Sequence, residues 1–284
     1  MTDSRVRELV AIGLPGYRVR RVVPLGAGLD NVAYEVNSEL VVRIAREAGA
    51  VRREAALLDL LGEVSTLPAP EPVFVLPEHD CIAYRKLPGT PLIDLPPDRR
   101  SAWAAGVGAQ LGGFLAALHA SDPDLWTDIA DVDDEPLANW RDEAAELYAD
   151  VAERLAPGQH RGIEDFLRAP LPDPAQTLVF SHNDLGIEHV LVAKSTGSVA
   201  GIIDWSDAAI CDPARDLGLI LRDLGSIGFE AALERYPASA DLRNRAWFYA
   251  RCSLLEDLQF GQEPGRETYL DKSLAALGEL FASD

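Results

Sequence analysis

The reading of the chain turns on Ser181-His182-Asn183-Asp184-Leu185-Gly186-Ile187-Glu188-His189-Val190-Leu191, with Ile202-Ile203-Asp204-Trp205 a short step downstream. Apolar Leu178-Val179-Phe180 leads into a polar loop, Val190-Leu191-Val192 leaves it, and Val199 to Ile203 ends on Asp204. Short apolar runs bounded by polar turns read as strands. Two acids, Asp184 and Asp204, therefore stand at strand ends, with His189 between them in the chain. Such a pair suits a loop that orients a hydroxyl nucleophile while carboxylate oxygen holds Mg²⁺ beside a nucleoside triphosphate. His182, Asp184 and position 189 fit the spacing H-x-D-x-x-x-x-N, with histidine in place of the final asparagine.

Upstream, Arg18 to Leu25 reads as a strand, Pro24 to Asn31 as a turn-rich loop with Gly26 and Gly28, and 32–36 and 40–44 as returning strands. The glycine loop is either a plain hairpin turn or a backbone that lies over phosphates without side chains in the way. Residues 4–12 and 50–61 carry helical periodicity. Glu54, on the second of these, is either a solvated charge or the partner of Arg43 on the preceding strand. Pro68, Pro70 and Pro72 break structure, 73–76 and 81–84 read as strands, and 87–92 as a connector. The pattern then turns helical: Trp103, Val107, Leu111, Phe114 and Leu118 share one face and read as core. His119 ends that helix, where it suits the dipole. The expected organisation is α+β, with a sheet-rich lobe over 1–86 and a mainly helical lobe over 87–284. Helices are expected over 136–155, 159–168, 228–236, 239–260 and 266–282. A further one starts near Pro213, with Asp212 as its N-cap. The acids of residues 122–136 read as a solvated loop, or as one that screens cations.

The 284 residues carry a formal net charge of −20, which disfavours nucleic-acid and anionic-membrane partners and favours a cationic ligand. No apolar run approaches membrane-spanning length, and the polar start, Met1-Thr2-Asp3-Ser4-Arg5, has no signal-peptide core. Cys81, Cys211 and Cys252 lack metal-like spacing and read as buried thiols. A cytoplasmic monomer is the expectation. Lysine occurs only at 86, 194 and 272; every other basic side chain is arginine.

The order of these pieces (glycine loop, strand cation, helical acid, connector, helical lobe, Asp184 loop, Asp204) resembles the aminoglycoside phosphotransferase family, which includes macrolide kinases. The likeness rests on Ser181 to His189, on Gly201 to Trp205 with Asp212-Pro213-Ala214-Arg215-Asp216-Leu217, on Gly28 to Tyr34, and on Leu87 to Leu92. It covers nearly the whole chain and implies the two-lobed protein-kinase-like fold. By that resemblance, Asp184 orients or deprotonates the acceptor hydroxyl. Asp204 and His189 bind Mg²⁺, His182 braces the loop, and Asp216 holds its backbone. Gly26, Gly28, Asn31, Arg43 and Glu54 serve the nucleotide phosphates. Tyr84 precedes the hinge, whose backbone from Arg85 to Leu87 reads the base of ATP or GTP. The family pattern is departed from twice: His189 replaces the metal-binding asparagine, and Arg43 replaces the strand lysine.

A cationic acceptor needs acids beside the reacting hydroxyl, and Asp207, Glu256 and Asp257 are the candidates. The expected substrate is a cationic antibiotic, an aminoglycoside first and a macrolide second, with Trp247-Phe248-Tyr249 as apolar surface for the latter. The alternatives are a kinase of a small amino alcohol or sugar metabolite, and a nucleotide-binding module without transfer.

Overall fold

The computed structural model describes residues 3–27 and 31–282. Helix α1 (Asp3–Gly13) precedes strands β1 (Val22–Ala27), β2 (Asn31–Val36) and β3 (Leu40–Ala45). Then come helix α2 (Ala50–Val64) and strands β4 (Pro72–Leu76) and β5 (Cys81–Arg85). The five strands form an antiparallel sheet in the order β1-β2-β3-β5-β4. Alternation along β3 decides its two faces. Leu40, Val42 and Ile44 join the cluster that α1 closes with Val6, Leu9 and Val10. Arg43, between them, points to the other face, where its strand position pairs with Ile82.

The second part contains β6 (Thr90–Pro91), α3 (Pro97–His119), β7 (Asp131–Val132), α4 (Leu137–Val151) and α5 (Pro157–Arg168). It continues with β8 (Val179–Ser181), β9 (Val190–Val192), β10 (Val199–Ile202) and β11 (Ala209–Cys211). Helices α6 (Ala214–Leu233), α7 (Ala240–Phe260) and α8 (Glu267–Leu280) complete it. Two small sheets, β10-β9-β6 and β7-β11-β8, carry the loop segments expected to do chemistry. Val51, Leu57, Leu58 and Leu61 of α2, with Ile82, belong to the same apolar cluster as the helical part, so the core is continuous across the 86/87 boundary.

Helix α3 is long and apolar enough to cross a membrane by composition alone, a property that counting uninterrupted apolar runs overlooks. It packs instead against α6. A Cβ on Gly108 would lie 2.0 Å from the carbonyl oxygen of Gly228, and one on Gly112 would lie 2.1 Å from that of Ala232. Only glycine permits so close a backbone approach.

Some boundaries differ from the sequence reading. Gly26 lies within β1, because pairing with Ala33 carries the hairpin past a register shift after Pro24. Gly28 lies outside the described residues. The helices expected near 213 and over 228–236 are one element, α6, broken at Gly225 by a left-handed φ of 63°. The loop over 122–136 is not wholly solvated. Asp133 forms a two-point ion pair with Arg215, and Asp131 lies 3.4 Å from Arg53 of α2. The three cysteines are buried; burial pushes the Cys81 and Cys211 thiols up to about 12.

Candidate active site

Strand β8 ends at Ser181 and releases the loop His182 to His189; β9 takes the chain away again. Helix α6 holds that loop at both ends. Asp216, fully buried, accepts the backbone N–H of His182 and of Asn183 through its two oxygens, each at 2.9 Å. Asp223 accepts the N–H of Ile187 at 3.1 Å. These acids are seven residues apart, two helical turns, and so share one face of α6. Asp184 stands between the two anchor points. His119 backs the first of them: its Nε2 lies 3.7 Å from Asp216 Oδ2 and 3.3 Å from Ser181 Oγ, while its Nδ1 meets Tyr236 Oη at 2.9 Å.

His182 connects the loop to the second acid. Its Nδ1 accepts the N–H of Asp184 at 3.3 Å, which leaves Nε2 to donate to the carbonyl of Ile203 at 3.0 Å. Complete burial, with a contribution from His189, lowers its pKa to about 4, so the ring is neutral at pH 7 in this tautomer. Below it Trp205 is buried, tilted against His182 at 4.5 Å, edge-on to Phe114 and stacked with Phe180, which stacks in turn on Trp126. This aromatic floor fixes Asp204, the residue before Trp205. Asp204 has a left-handed φ of 63°, and Asn183, beside Asp184, one of 66°. Non-glycine residues adopt that region at a cost, and such residues cluster at functional sites.

Asp204 and Asp184 sit in opposite electrostatic surroundings. Burial works to raise Asp204, but Arg43, His189, Ser206 and His182 together hold it below the usual carboxylate range. Ser206 Oγ donates to its Oδ1 at 2.7 Å. Asp184 is raised well above that range, by burial first and then by Glu188 and Asp207, against Arg222. Its oxygens still open to the cleft, and His189 Nε2 is 3.5 Å from Oδ2.

On the sheet side, Arg43 Nη1 is 3.1 Å from Glu54 Oε1 and 3.3 Å from Asp204 Oδ1. Glu54 is therefore the partner of Arg43 and not a solvated charge. It falls on the buried stripe of α2, between Val51 and Leu58, where an unpaired carboxylate is costly. Tyr84 is buried beside Arg43, and burial lifts its hydroxyl to about 12. Arg85 is exposed at the end of β5, and Leu87 covers Gly201 of β10. A cavity of about 340 Å³ lies where the two parts meet, bordered by Asn31, Arg43, Glu54, Asp131, Trp205 and Ser206.

The expected substrate acids separate. Glu256 is exposed, but surrounding protein raises its carboxyl, with Asp257, Glu143 and Asp207 adding to the effect and Arg222 opposing it. Glu143 and Asp207 are therefore charge neighbours of Glu256, and Asp207 is one of Asp184 as well. Asp257 differs: it is buried, and its Oδ2 lies 3.2 Å from Arg222 Nε and 2.9 Å from Lys272 Nζ. Its charge is committed inside the protein, so it is not an open contact for a cationic ligand.

The expected metal ligands, Asp204 and His189, are charge neighbours, since His189 helps to hold the Asp204 carboxyl down. Among the described residues, the group of acids and histidines able to share one ion is Asp184, Glu188 and His189, with donor atoms within 4.8 Å of one another. Asp204 is outside that group, and Glu188 was not anticipated. The hard carboxylate oxygens of Asp204 and the buried, unpartnered His189 Nδ1 nevertheless offer donors that a divalent cation fits. Asp223, Glu143 and His119 were also missed. The heptad spacing of Asp216 and Asp223 was the one available signal.

Residues 21–251 match the phosphotransferase enzyme family. The chain belongs to that family. This phosphotransferase is 26% identical over 233 residues to viomycin phosphotransferase of Streptomyces vinaceus, covering 75% of this chain and 77% of that one. Its fold is similar to that of the GDP and kanamycin complex of APH(2")-IIia, with a TM-score of 0.70 at 22% identity, over 97% of this chain and 98% of that one. The apoenzyme of a macrolide 2'-phosphotransferase from Brachybacterium faecium is also similar, with a TM-score of 0.64 at 22% identity, over 99% of each chain. At these identities the solved structures show the two-lobed kinase-like fold. This phosphotransferase is thus an enzyme with an alcohol group as acceptor, related to kinases of antibiotics.

Proposed function

We propose that this phosphotransferase moves the terminal phosphoryl group of ATP or GTP to a hydroxyl of a cationic antibiotic, an aminoglycoside in the first place. The gathering of acids around Asp184 carries this reading. Glu188 and Asp207 crowd Asp184 with negative charge, and Glu143, Asp207 and Asp257 do the same to Glu256. Ammonium groups binding among these acids would relieve the repulsion and bring a neighbouring hydroxyl to Asp184. Asp184 would take up the hydroxyl proton, and an ammonium beside it would favour the ionised carboxylate that the step needs.

Asp204, held ionised by Arg43, and His189 would hold Mg²⁺. When bound, Mg²⁺ supplies charge neutralisation along the nucleotide phosphates. Arg43, placed by Glu54, would contact those phosphates, and the backbone from Arg85 to Leu87 would meet the base. The comparisons support an antibiotic acceptor: viomycin, kanamycin and macrolides stand in the names of similar proteins. A macrolide is less well served by the cleft, because Phe248 and Tyr249 are buried in the core and Tyr249 packs edge-on to Trp140.

The test is a coupled nucleotide-turnover screen, with ATP and GTP in separate arms. The acceptors are aminoglycosides, viomycin, macrolides and small amino alcohols. Turnover with an aminoglycoside supports the proposal. Turnover confined to amino alcohols would place the enzyme in metabolism, and nucleotide binding with no transfer across the panel would sink it.

A further inference from the structure

Lys86 and Lys194 are exposed, whereas Lys272, on α8, is only 8% exposed. Its ammonium meets three carboxylates from three parts of the chain: Asp223 Oδ1 of α6 at 2.8 Å, Asp257 Oδ2 of α7 at 2.9 Å, and Glu188 Oε2 of the Asp184 loop at 3.5 Å. Arg222 completes the group. Its guanidinium takes both oxygens of Asp223, at 2.9 and 2.8 Å, and its Nη2 lies 3.9 Å from Glu188 Oε1. Two buried cations thus face two buried acids, Asp223 and Asp257, and the part-buried Glu188. Burial and Arg222 oppose the Lys272 charge, and Asp223, Glu188 and Asp257 outweigh them, so the ammonium is retained.

The choice of lysine is informative in a chain that otherwise uses arginine almost everywhere. An ammonium is compact and can direct three donors to three separate carboxylates, whereas a guanidinium is a flat fork suited to one or two. Glu188 is also one of the three residues, with Asp184 and His189, whose donor atoms converge within 4.8 Å. Its carboxylate is therefore placed between two demands: the buried cations behind it and the reacting cleft in front.

We propose that Lys272 is a positioning residue: it draws the Glu188 carboxylate back from Asp184 and His189, so that Glu188 shapes the loop without becoming a ligand of the divalent cation. The catalytic consequence rests on the phosphotransfer reading above; the effect on metal binding does not. Removing the ammonium leaves Glu188 with one distant cation and frees it to turn toward the cleft. A third carboxyl or imidazole donor there would tighten a lone cation while misplacing it for transfer.

The test compares full-length wild type, Lys272→Met, Glu188→Gln and the double variant. It reads Mn²⁺ binding by electron paramagnetic resonance, kcat, and thermal midpoint. Lys272→Met is expected to bind Mn²⁺ about tenfold more tightly and to lose about tenfold in kcat. Glu188→Gln should keep Mn²⁺ affinity within about twofold of wild type, and the double variant should return to that value, because the two residues act through one contact. Unchanged Mn²⁺ affinity in folded Lys272→Met would overturn the proposal, as would a tenfold loss in Glu188→Gln, which would mean that Glu188 is already a ligand. If Lys272→Met does not fold, the near-isosteric Glu188→Gln decides by that same criterion. A wild type that transfers nothing would count against the phosphotransfer reading, while the Mn²⁺ comparison would still decide the role of Lys272.

Discussion

Arg43 and Asp204 form an ion pair across the cleft, Nη1 to Oδ1 at 3.3 Å, and Glu54 shares the same Nη1 at 3.1 Å. One guanidinium thus joins the sheet, α2 and the end of β10. Because Arg43 is buried, removing its partner leaves a desolvated charge. Glu54→Gln is expected to raise the nucleotide KM about tenfold, equivalent to about 1.4 kcal/mol, with the antibiotic KM little changed. Steady-state kinetics with each substrate varied in turn checks this; an unchanged nucleotide KM would remove Glu54 from the phosphate site.

His182 makes stability depend on pH. Its folded pKa, lowered to about 4 by burial, lies below the ordinary value of 6.5, so the unfolded chain takes up the proton first as pH falls. The stabilisation is full above about pH 6.5, is lost progressively as pH drops to about 4, and amounts to roughly 3 kcal/mol. Thermal midpoints across that window should fall in wild type and fall less in His182→Gln. Parallel curves for the two proteins would contradict the burial of a neutral ring.

Glu256 should report on the charge of the acceptor. Glu256→Gln is expected to raise the KM for an aminoglycoside by about three- to tenfold while leaving nucleotide KM and thermal midpoint near wild type. Low ionic strength should enlarge the difference, because Glu256 is exposed to screening. Equal effects on a neutral acceptor would show that Glu256 acts by packing and not by charge.

The approach of α3 to α6 predicts a stability effect remote from the cleft. An Ala methyl at Gly112 would meet the Ala232 carbonyl oxygen at 2.1 Å, so one helix must move. Gly112→Ala should destabilise by about 1–3 kcal/mol, as overpacking does, despite the better helix propensity of alanine. Gly106, which has open space around it, is the control: Gly106→Ala should be neutral or stabilising by urea unfolding.

What was legible in the chain was local. His182, Asp184 and Asp204 declared themselves because short apolar runs frame them, and Asp216 because it follows Asp212-Pro213 at a recognisable spacing. Glu54 was readable in principle, as a charge on the apolar stripe of α2. Lys272, Asp223 and Glu188 were not, because their contact joins α8, α6 and the loop across 49 and 84 residues of sequence. Asp257 was misread for the same reason: an acid near an expected substrate helix looks open until the cations that bury it are in place. Gly225 divided α6 into two apparent helices because a local break in periodicity carries no information about whether the axis continues.

Mass spectrometry of an aminoglycoside incubated with ATP or GTP, Mg²⁺ and either wild type or Asp184→Asn tests the central claim most directly. Wild type should yield the O-phosphorylated antibiotic. Asp184→Asn should yield at least about 10³-fold less while binding nucleotide with nearly the wild-type Kd, because only the group that receives the hydroxyl proton has been changed. Equal product from the two proteins would contradict the role of Asp184, and no product from wild type with any cationic antibiotic would contradict the function proposed for the site.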